Sequence, residues 1–247
     1  MELTKEIPEW LSEYLSSTTL DGFIVGISGG IDSALTSTLC ALTGKPTHVV
    51  SLPIYQKPEQ LSRANKHQNW LVENFDNVTI EEFRMDYVYG SFRRMFEEDN
   101  NHALANTRSR LRMTALYHLA SIHNLLVVGT GNKVEDFGVG FFTKWGDGGV
   151  DISPIGDLTK TEVRELSKEL GIIQEIIDAP PTDGLWDDGR TDEDQMGATY
   201  EELEWAMTYD PQKGGLLSNR QKDVLNIYNT LHKQNKHKMN PIPVFQK

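Results

Sequence analysis

Cysteine is almost absent from this chain. Cys40 is the only one in 247 residues, so no internal disulfide can form and no CxxC metal or redox motif is available. It lies in Leu39-Cys40-Ala41-Leu42, where core packing is its expected role. Positive charge is scarce as well. Lys and Arg total 24 against 36 Asp and Glu, a formal net charge of −12, which argues against general attraction to nucleic acid or anionic membranes. Any anionic substrate must then be held by local cations. No apolar run approaches the ~20 residues that cross a bilayer, and no basic region followed by an apolar one opens the chain. A cytoplasmic protein with neither membrane nor nucleic acid as partner is expected. Walker A and GxGxxG motifs are missing, as are internal repeats and a zinc-like cluster of histidines with the single cysteine.

What the chain does have is a short glycine- and serine-rich turn. The run Gly26-Ile27-Ser28-Gly29-Gly30-Ile31-Asp32-Ser33 joins a strand-like segment, 22–27, to a helix-like one that begins near Asp32. Glycines at a strand-to-helix junction let the backbone approach an oxyanion, while the helix start supplies unpaired N–H groups and a positive dipole end. Ser28 and Ser33 add hydroxyls, and Asp32 adds a carboxylate suited to Mg²⁺. Around this turn, periodicity predicts helices over 4–16, 32–43, 58–75 and 104–123, and strands over 23–27, 48–53, 78–83 and 125–129. Such alternation predicts an α/β fold, an open parallel sheet flanked by helices. Ligands bind at the carboxyl ends of strands in such sheets, so the glycine-bearing ends at 28–30 and 129–131 should open onto one crevice.

Four other segments carry candidate chemistry. In 141–151, one lysine and two aspartates stand among aromatics and three glycines, which reads as a binding loop or as a hairpin with a Gly-Asp-Gly turn. Thr159-Lys160-Thr161-Glu162 fits a capping box. Its Lys160 puts a cation in the first turn, where the macrodipole disfavours it, so a nearby phosphate would account for it; a solvated surface lysine is the alternative. On the long helix, Arg108 and Arg112 share one face and Asn106 and Arg110 another, with Leu111, Ala115, Leu119 and Ile122 as the expected buried stripe. The Arg110 face could meet a ligand or a second subunit, and the Arg108/Arg112 pair could be solvated. The acidic stretch 180–194 reads as a long loop, either a lid or a linker. Glu135, after the fourth strand, could complete a Mg²⁺ site with Asp32.

The ordered set SGGIDS, NTRSRLRM, GTGNKVE, GFFTKWGDGGVDISPIGDLTKTEV, PPTDGLW and His237-Lys238 resembles the ammonia-dependent NAD synthetases, within the N-type ATP pyrophosphatases, from about residue 20 to the C-terminus. The resemblance implies a Rossmann-like fold of the adenine nucleotide alpha hydrolase type. It implies one synthetase domain over 1–247 with no glutaminase domain, and a homodimer whose substrate site reaches the subunit interface. The implied reaction converts deamido-NAD, ATP and ammonia into NAD, AMP and pyrophosphate. By the same resemblance, residues 26–33 bind ATP phosphates with Thr130, Lys160 and Thr182, while Asp32 and Glu135 hold Mg²⁺. Arg110, Lys144, Asp151, His237 and Lys238 contact deamido-NAD, and Asp151, Lys144 and Lys160 are the expected catalytic groups. Pro181-Thr182-Asp183-Gly184-Leu185 and Met239 depart from the usual family pattern. The rivals are another member of the superfamily and a regulator that binds ATP without releasing pyrophosphate.

Overall fold

A computed structural model describes residues 2–97, 100–185, 189–212 and 215–247. Four strands, β1 (Gly22–Gly26), β2 (Thr47–Ser51), β3 (Val78–Glu82) and β4 (Leu125–Val128), form one sheet in the order β3-β2-β1-β4, and every pairing is parallel. β1 and β4 are apolar on both sides because both faces are covered, whereas the edge strand β3 carries Thr79, Glu81 and Glu82 and is only partly buried. Phe23, Val25, Val49 and Leu126 point into a core with α1 (Leu3–Ser16), α2 (Ile31–Leu42), α3 (Pro58–Asn74) and α6 (Lys160–Glu169). Ile24, Val50 and Val127 alternate to the other face, against Met113, Leu116 and Leu119 of α5 (Asn101–His123). The expected alternation is observed, with element ends shifted by up to three residues.

The buried stripe of α5 differs from expectation. Ala105, Ser109, Met113, Leu116, Leu119 and Ala120 are buried, whereas Ile122 is 61% exposed. Phasing the helix on its apolar residues turns Ile122 inward, but Ser109 takes a buried position because its hydroxyl is paired with Asp147. The order also includes α4 (Asp86–Arg93), α7 (Gln174–Ile177), α9 (Tyr200–Thr208) and α10 (Asn219–Met239), elements without a sequence assignment above, and α8 (Asp192–Met196), whose capped start at Thr191 falls inside the stretch 180–194 expected to be a loop. A separate apolar cluster joins Val134, Val139, Tyr200, Leu203 and Val224. It docks the C-terminal helices onto a π-helical turn, Lys133–Val139. Cys40 is fully buried, and burial pushes its thiol pKa up, as expected of a packing residue.

Candidate active site

The chain order turns back between β1 and β4: β2 and β3 lie on one side of β1, and β4 on the other. A crevice is expected at the carboxyl ends of these two strands. A cleft of about 450 Å³ opens there, lined from β1 by Gly26, Ile27, Ser28, Gly30, Ile31, Asp32 and Ser33, and from β4 by Gly129, Thr130 and Glu135. The two glycine-bearing strand ends therefore meet.

The turn after β1 is held rigid from within. The Ser28 amide donates to Ser33 Oγ at 3.2 Å, the Gly30 amide to Ser28 Oγ at 3.1 Å, and the two hydroxyl oxygens lie 3.0 Å apart. Ser28 and Ser33 thus shape the turn as much as they offer donors to a ligand. Gly29 does not itself line the cleft; it stands at φ +82°, with Arg63 Nε donating to its carbonyl at 3.2 Å. A Cβ at this position would lie 2.5 Å from the Gln60 carbonyl oxygen, so only glycine fits between the turn and α3.

At the floor of the cleft, Lys160 is 2% exposed and unites two carboxylates from different elements. Its Nζ donates to Asp32 Oδ2 at 2.6 Å and to Glu135 Oε1 at 3.1 Å. Asn132 Nδ2 donates to the other Asp32 oxygen at 3.0 Å, and the Tyr200 hydroxyl to Glu135 Oε1 at 2.6 Å. The helix-start cation therefore has protein carboxylates as its counterions, which corrects both the inference that a phosphate alone accounts for it and the surface alternative. Thr159 and Glu162 form the expected capping box, with the Thr159 amide donating to Glu162 Oε2 at 2.7 Å and the Glu162 amide to Thr159 Oγ1 at 3.2 Å. Burial works against the Lys160 charge, but Asp32 and Glu135 outweigh it and raise its pKa. Burial likewise lifts Glu135 above the ordinary carboxylate range, with Lys160 opposing and Asp32 adding to the shift. Asp192, buried beside them, is pushed up to about 7 by burial and then by the charge of Glu135. One lysine thus serves a surplus of acidic groups.

Asn132, Asp192 and Tyr200 belong to this cluster but were not among the expected site residues. Asn132 sits inside the GTGNKVE run, a signal that was available. Asp192 lies in the acidic stretch 180–194 and Tyr200 follows the cap of α9, but nothing local ties either to the cluster, because they reach it only through the docking of α8 and α9. The stretch 180–194 is no solvated linker over its described part: Thr182, Asp183 and Leu185 line the cleft, Arg108 Nη1 donates to the Leu185 carbonyl at 2.6 Å, and the Asp183 amide donates to Asp192 Oδ1 at 2.8 Å. Trp186 lies outside the described residues. Nor are Arg108 and Arg112 a solvated pair. Arg112 donates to the Leu52 carbonyl at 3.0 Å and Gln56 Oε1 at 2.9 Å, and burial, then the charge of Arg108, lowers its pKa to about 10.

The segment 141–151 is a run of turns with no hairpin. The Ser109 hydroxyl donates to Asp147 Oδ1 at 2.6 Å, and the Asp147 amide donates back to Ser109 Oγ at 2.9 Å. Lys238 lines the cleft and donates to the Phe142 carbonyl at 2.7 Å. Arg110, Lys144 and His237 lie in line outside the cleft: Arg110 Nε donates to the Lys144 carbonyl at 3.2 Å, and Lys144 Nζ to the His237 carbonyl at 3.1 Å. Asp151 is also outside. Its two oxygens accept from the Tyr117 hydroxyl at 2.8 Å and from the Val127 amide at 2.9 Å.

A family model described as NAD synthase matches residues 3–242. The chain belongs to the NAD synthase family. Among its relatives is the NH(3)-dependent NAD(+) synthetase of Carboxydothermus hydrogenoformans, 42% identical over 205 residues, with 82% of this chain and 83% of that protein covered. The NMN synthetase from Francisella tularensis superposes with a TM-score of 0.89 at 32% identity, covering 100% of this chain and 98% of that one. An NH3-dependent NAD synthetase from Campylobacter jejuni, at 24% identity and a TM-score of 0.77, agrees in fold over 99% of this chain and 98% of its own. The matched residues include those that line the cleft at the β1/β4 reversal.

Proposed function

We propose that the chain amidates deamido-NAD with ammonia, consuming ATP and releasing NAD, AMP and pyrophosphate, as the last step of NAD biosynthesis. Family membership supports this reading, and the structural observation that carries it is the Lys160–Asp32–Glu135 cluster beside the orphan amides of α2. In the first step a nicotinate carboxylate oxygen attacks the α-phosphorus of ATP, and the bond to pyrophosphate breaks. The difficulty is bringing two anions together. Helix-start N–H groups at 31–33 and the Lys160 ammonium offset the phosphate charge in fixed positions, so no reorganisation is needed as charge moves to the leaving group. In the second step ammonia attacks the acyl carbon, and AMP leaves with the bonding pair. The nitrogen sheds a proton, for which a carboxylate poised near neutrality is suited; Asp192, with its raised pKa, is such a group on the cleft wall.

Magnesium fits the donors present: Asp32 and Glu135 converge on a single cationic atom, an all-oxygen set suited to a hard divalent ion. When bound with ATP, the metal would supply charge neutralisation on the phosphates. Thr130 and Thr182 line the cleft as ATP contacts, and Lys238 would meet the dinucleotide from its other end. Arg110, Lys144, Asp151 and His237 stand outside the cleft, an arrangement consistent with a dinucleotide completed at the face of a second copy in a homodimer. A synthetase domain working in the cytoplasm completes the proposal.

The close superposition on an NMN synthetase over the whole chain favours a second reading, in which nicotinic acid mononucleotide is amidated instead. A single experiment separates the two. Purified protein is supplied with ATP, Mg²⁺ and either ammonium or glutamine, and with deamido-NAD or the mononucleotide acid. Product and pyrophosphate are measured together. Faster NAD formation from deamido-NAD with ammonium is expected. A higher kcat/KM for the mononucleotide would establish the second reading, and ATP binding without pyrophosphate release would overturn both.

A further inference from the structure

His48, Glu81 and His123 meet on the face of the sheet covered by α5, although they come from three separate elements. His48 is near the start of β2, Glu81 is on β3, and His123 is the last residue of α5. In the β2–β3 register His48 pairs with Thr79, so Glu81, two residues further along β3, projects from the same face. None of the three lines the nucleotide cleft.

Glu81 Oε1 lies 3.6 Å from His48 Nδ1 and 3.7 Å from His123 Nε2. These separations are too long for hydrogen bonds. They suit the edges of a coordination shell, because donors about 2.0–2.1 Å from a shared ion stand about 3.3–3.6 Å apart at tetrahedral to trigonal angles. Potential ligand atoms from all three residues lie within 4.8 Å of one another, and turning the partly exposed His123 ring can tighten the remaining edge. A second observation points the same way: His48 Nδ1 is buried and has no hydrogen-bond partner, although it faces the other two groups. The two imidazole rings lie 4.7 Å apart between centroids, inclined at 39°.

We propose that His48 Nδ1, His123 Nε2 and a Glu81 carboxylate oxygen bind one divalent transition-metal cation of the zinc class, with water completing the shell. Two imidazoles and one carboxylate favour Zn²⁺, Co²⁺ or Ni²⁺ over Mg²⁺ or Ca²⁺. The ion ties the edge strand β3 to β2 and to the end of α5, away from the chemistry. Its effect is on stability, through binding to the folded chain alone.

The test uses the untagged full chain, stripped by chelator and titrated with Co²⁺ or Zn²⁺ in the absence of ATP. One equivalent should bind, with visible d–d absorption for Co²⁺ and a rise in Tm for Zn²⁺, while Mg²⁺ alone gives no rise of that kind. His48→Gln and His123→Gln should each weaken binding by at least about tenfold. His123 is the more exposed of the two histidines, so its variant decides the matter if His48→Gln does not fold. Failure of the wild-type chain to bind stoichiometrically, or undiminished affinity in the folded variants, overturns the proposal.

Discussion

Replacing Lys160 with methionine removes the only cation in contact with both Asp32 and Glu135 among the described residues. The lysine side chain is 2% exposed, and the two carboxylates are 18% and 16% exposed. Removing one member of a buried ion pair costs about 3–5 kcal/mol, chiefly because the remaining charge is stranded. Partial solvent access and the surviving bonds from Asn132 and Tyr200 place this case near the lower end, at ~3 kcal/mol. For a chain of this size each kcal/mol corresponds to about 2–4 °C, so Tm should fall by roughly 6–12 °C at pH 8. The deficit should also depend on pH with a definite sign. Burial already raises the Glu135 carboxyl and Lys160 opposes that shift, so without the lysine its pKa rises further and the folded variant binds more protons than the unfolded one. Its stability is then greatest at low pH and is lost as pH rises from the ordinary carboxylate range through the raised folded value of Glu135. Urea unfolding at pH 5, 6, 7 and 8, followed by tryptophan fluorescence, measures this. A deficit under about 1 kcal/mol at pH 8, or one that stays constant between pH 5 and 8, would refute the assignment of a buried three-group cluster.

Gly29→Ala combines an unfavourable φ of +82° with a Cβ 2.5 Å from the Gln60 carbonyl and 3.0 Å from the Ala64 amide, so the turn must pull away from α3. The KM for ATP should rise at least about tenfold, the equivalent of roughly 1.4 kcal/mol of lost binding; an unchanged KM would show that the turn does not hold the phosphates. Asp192→Asn should flatten the dependence of stability on pH. Because the folded carboxyl is raised from 3.8 to about 7, the wild-type chain loses stability as pH rises through that interval, by on the order of 4 kcal/mol at most. Equal pH slopes for the two proteins, measured by thermal unfolding between pH 5 and 8, would contradict the raised pKa.

Much of the site is visible in one dimension because its parts are local. The turn at 26–33 needs only a strand before it, a helix after it and glycines between. The capping box at Thr159 spans four residues, and the alternation of apolar strands with amphipathic helices identifies a parallel sheet and the end of it where ligands bind. Short-range geometry decides each of these. The phase of α5 is not legible in the sequence for the converse reason. Ser109 looks polar in isolation, and it becomes a core residue only when Asp147 arrives to accept its hydrogen bond.

Charge pairing is the property that a linear reading could not supply. Lys160, Asp32 and Glu135 were each visible as candidates, yet their contact depends on α6 packing against α2 and the π-helical turn, and it converts an odd surface lysine into a buried hub. Asp192 and Tyr200 enter that hub from helices whose capping boxes at Thr191 and Thr199 mark only where each helix starts, and His48, Glu81 and His123 meet only after two strands pair and α5 lies across them. Turns, caps and periodicity are properties of neighbouring residues, so the amino-acid order suffices for them. Burial, pKa and coordination are set by groups far apart in the chain, and they come into existence only when the layers close.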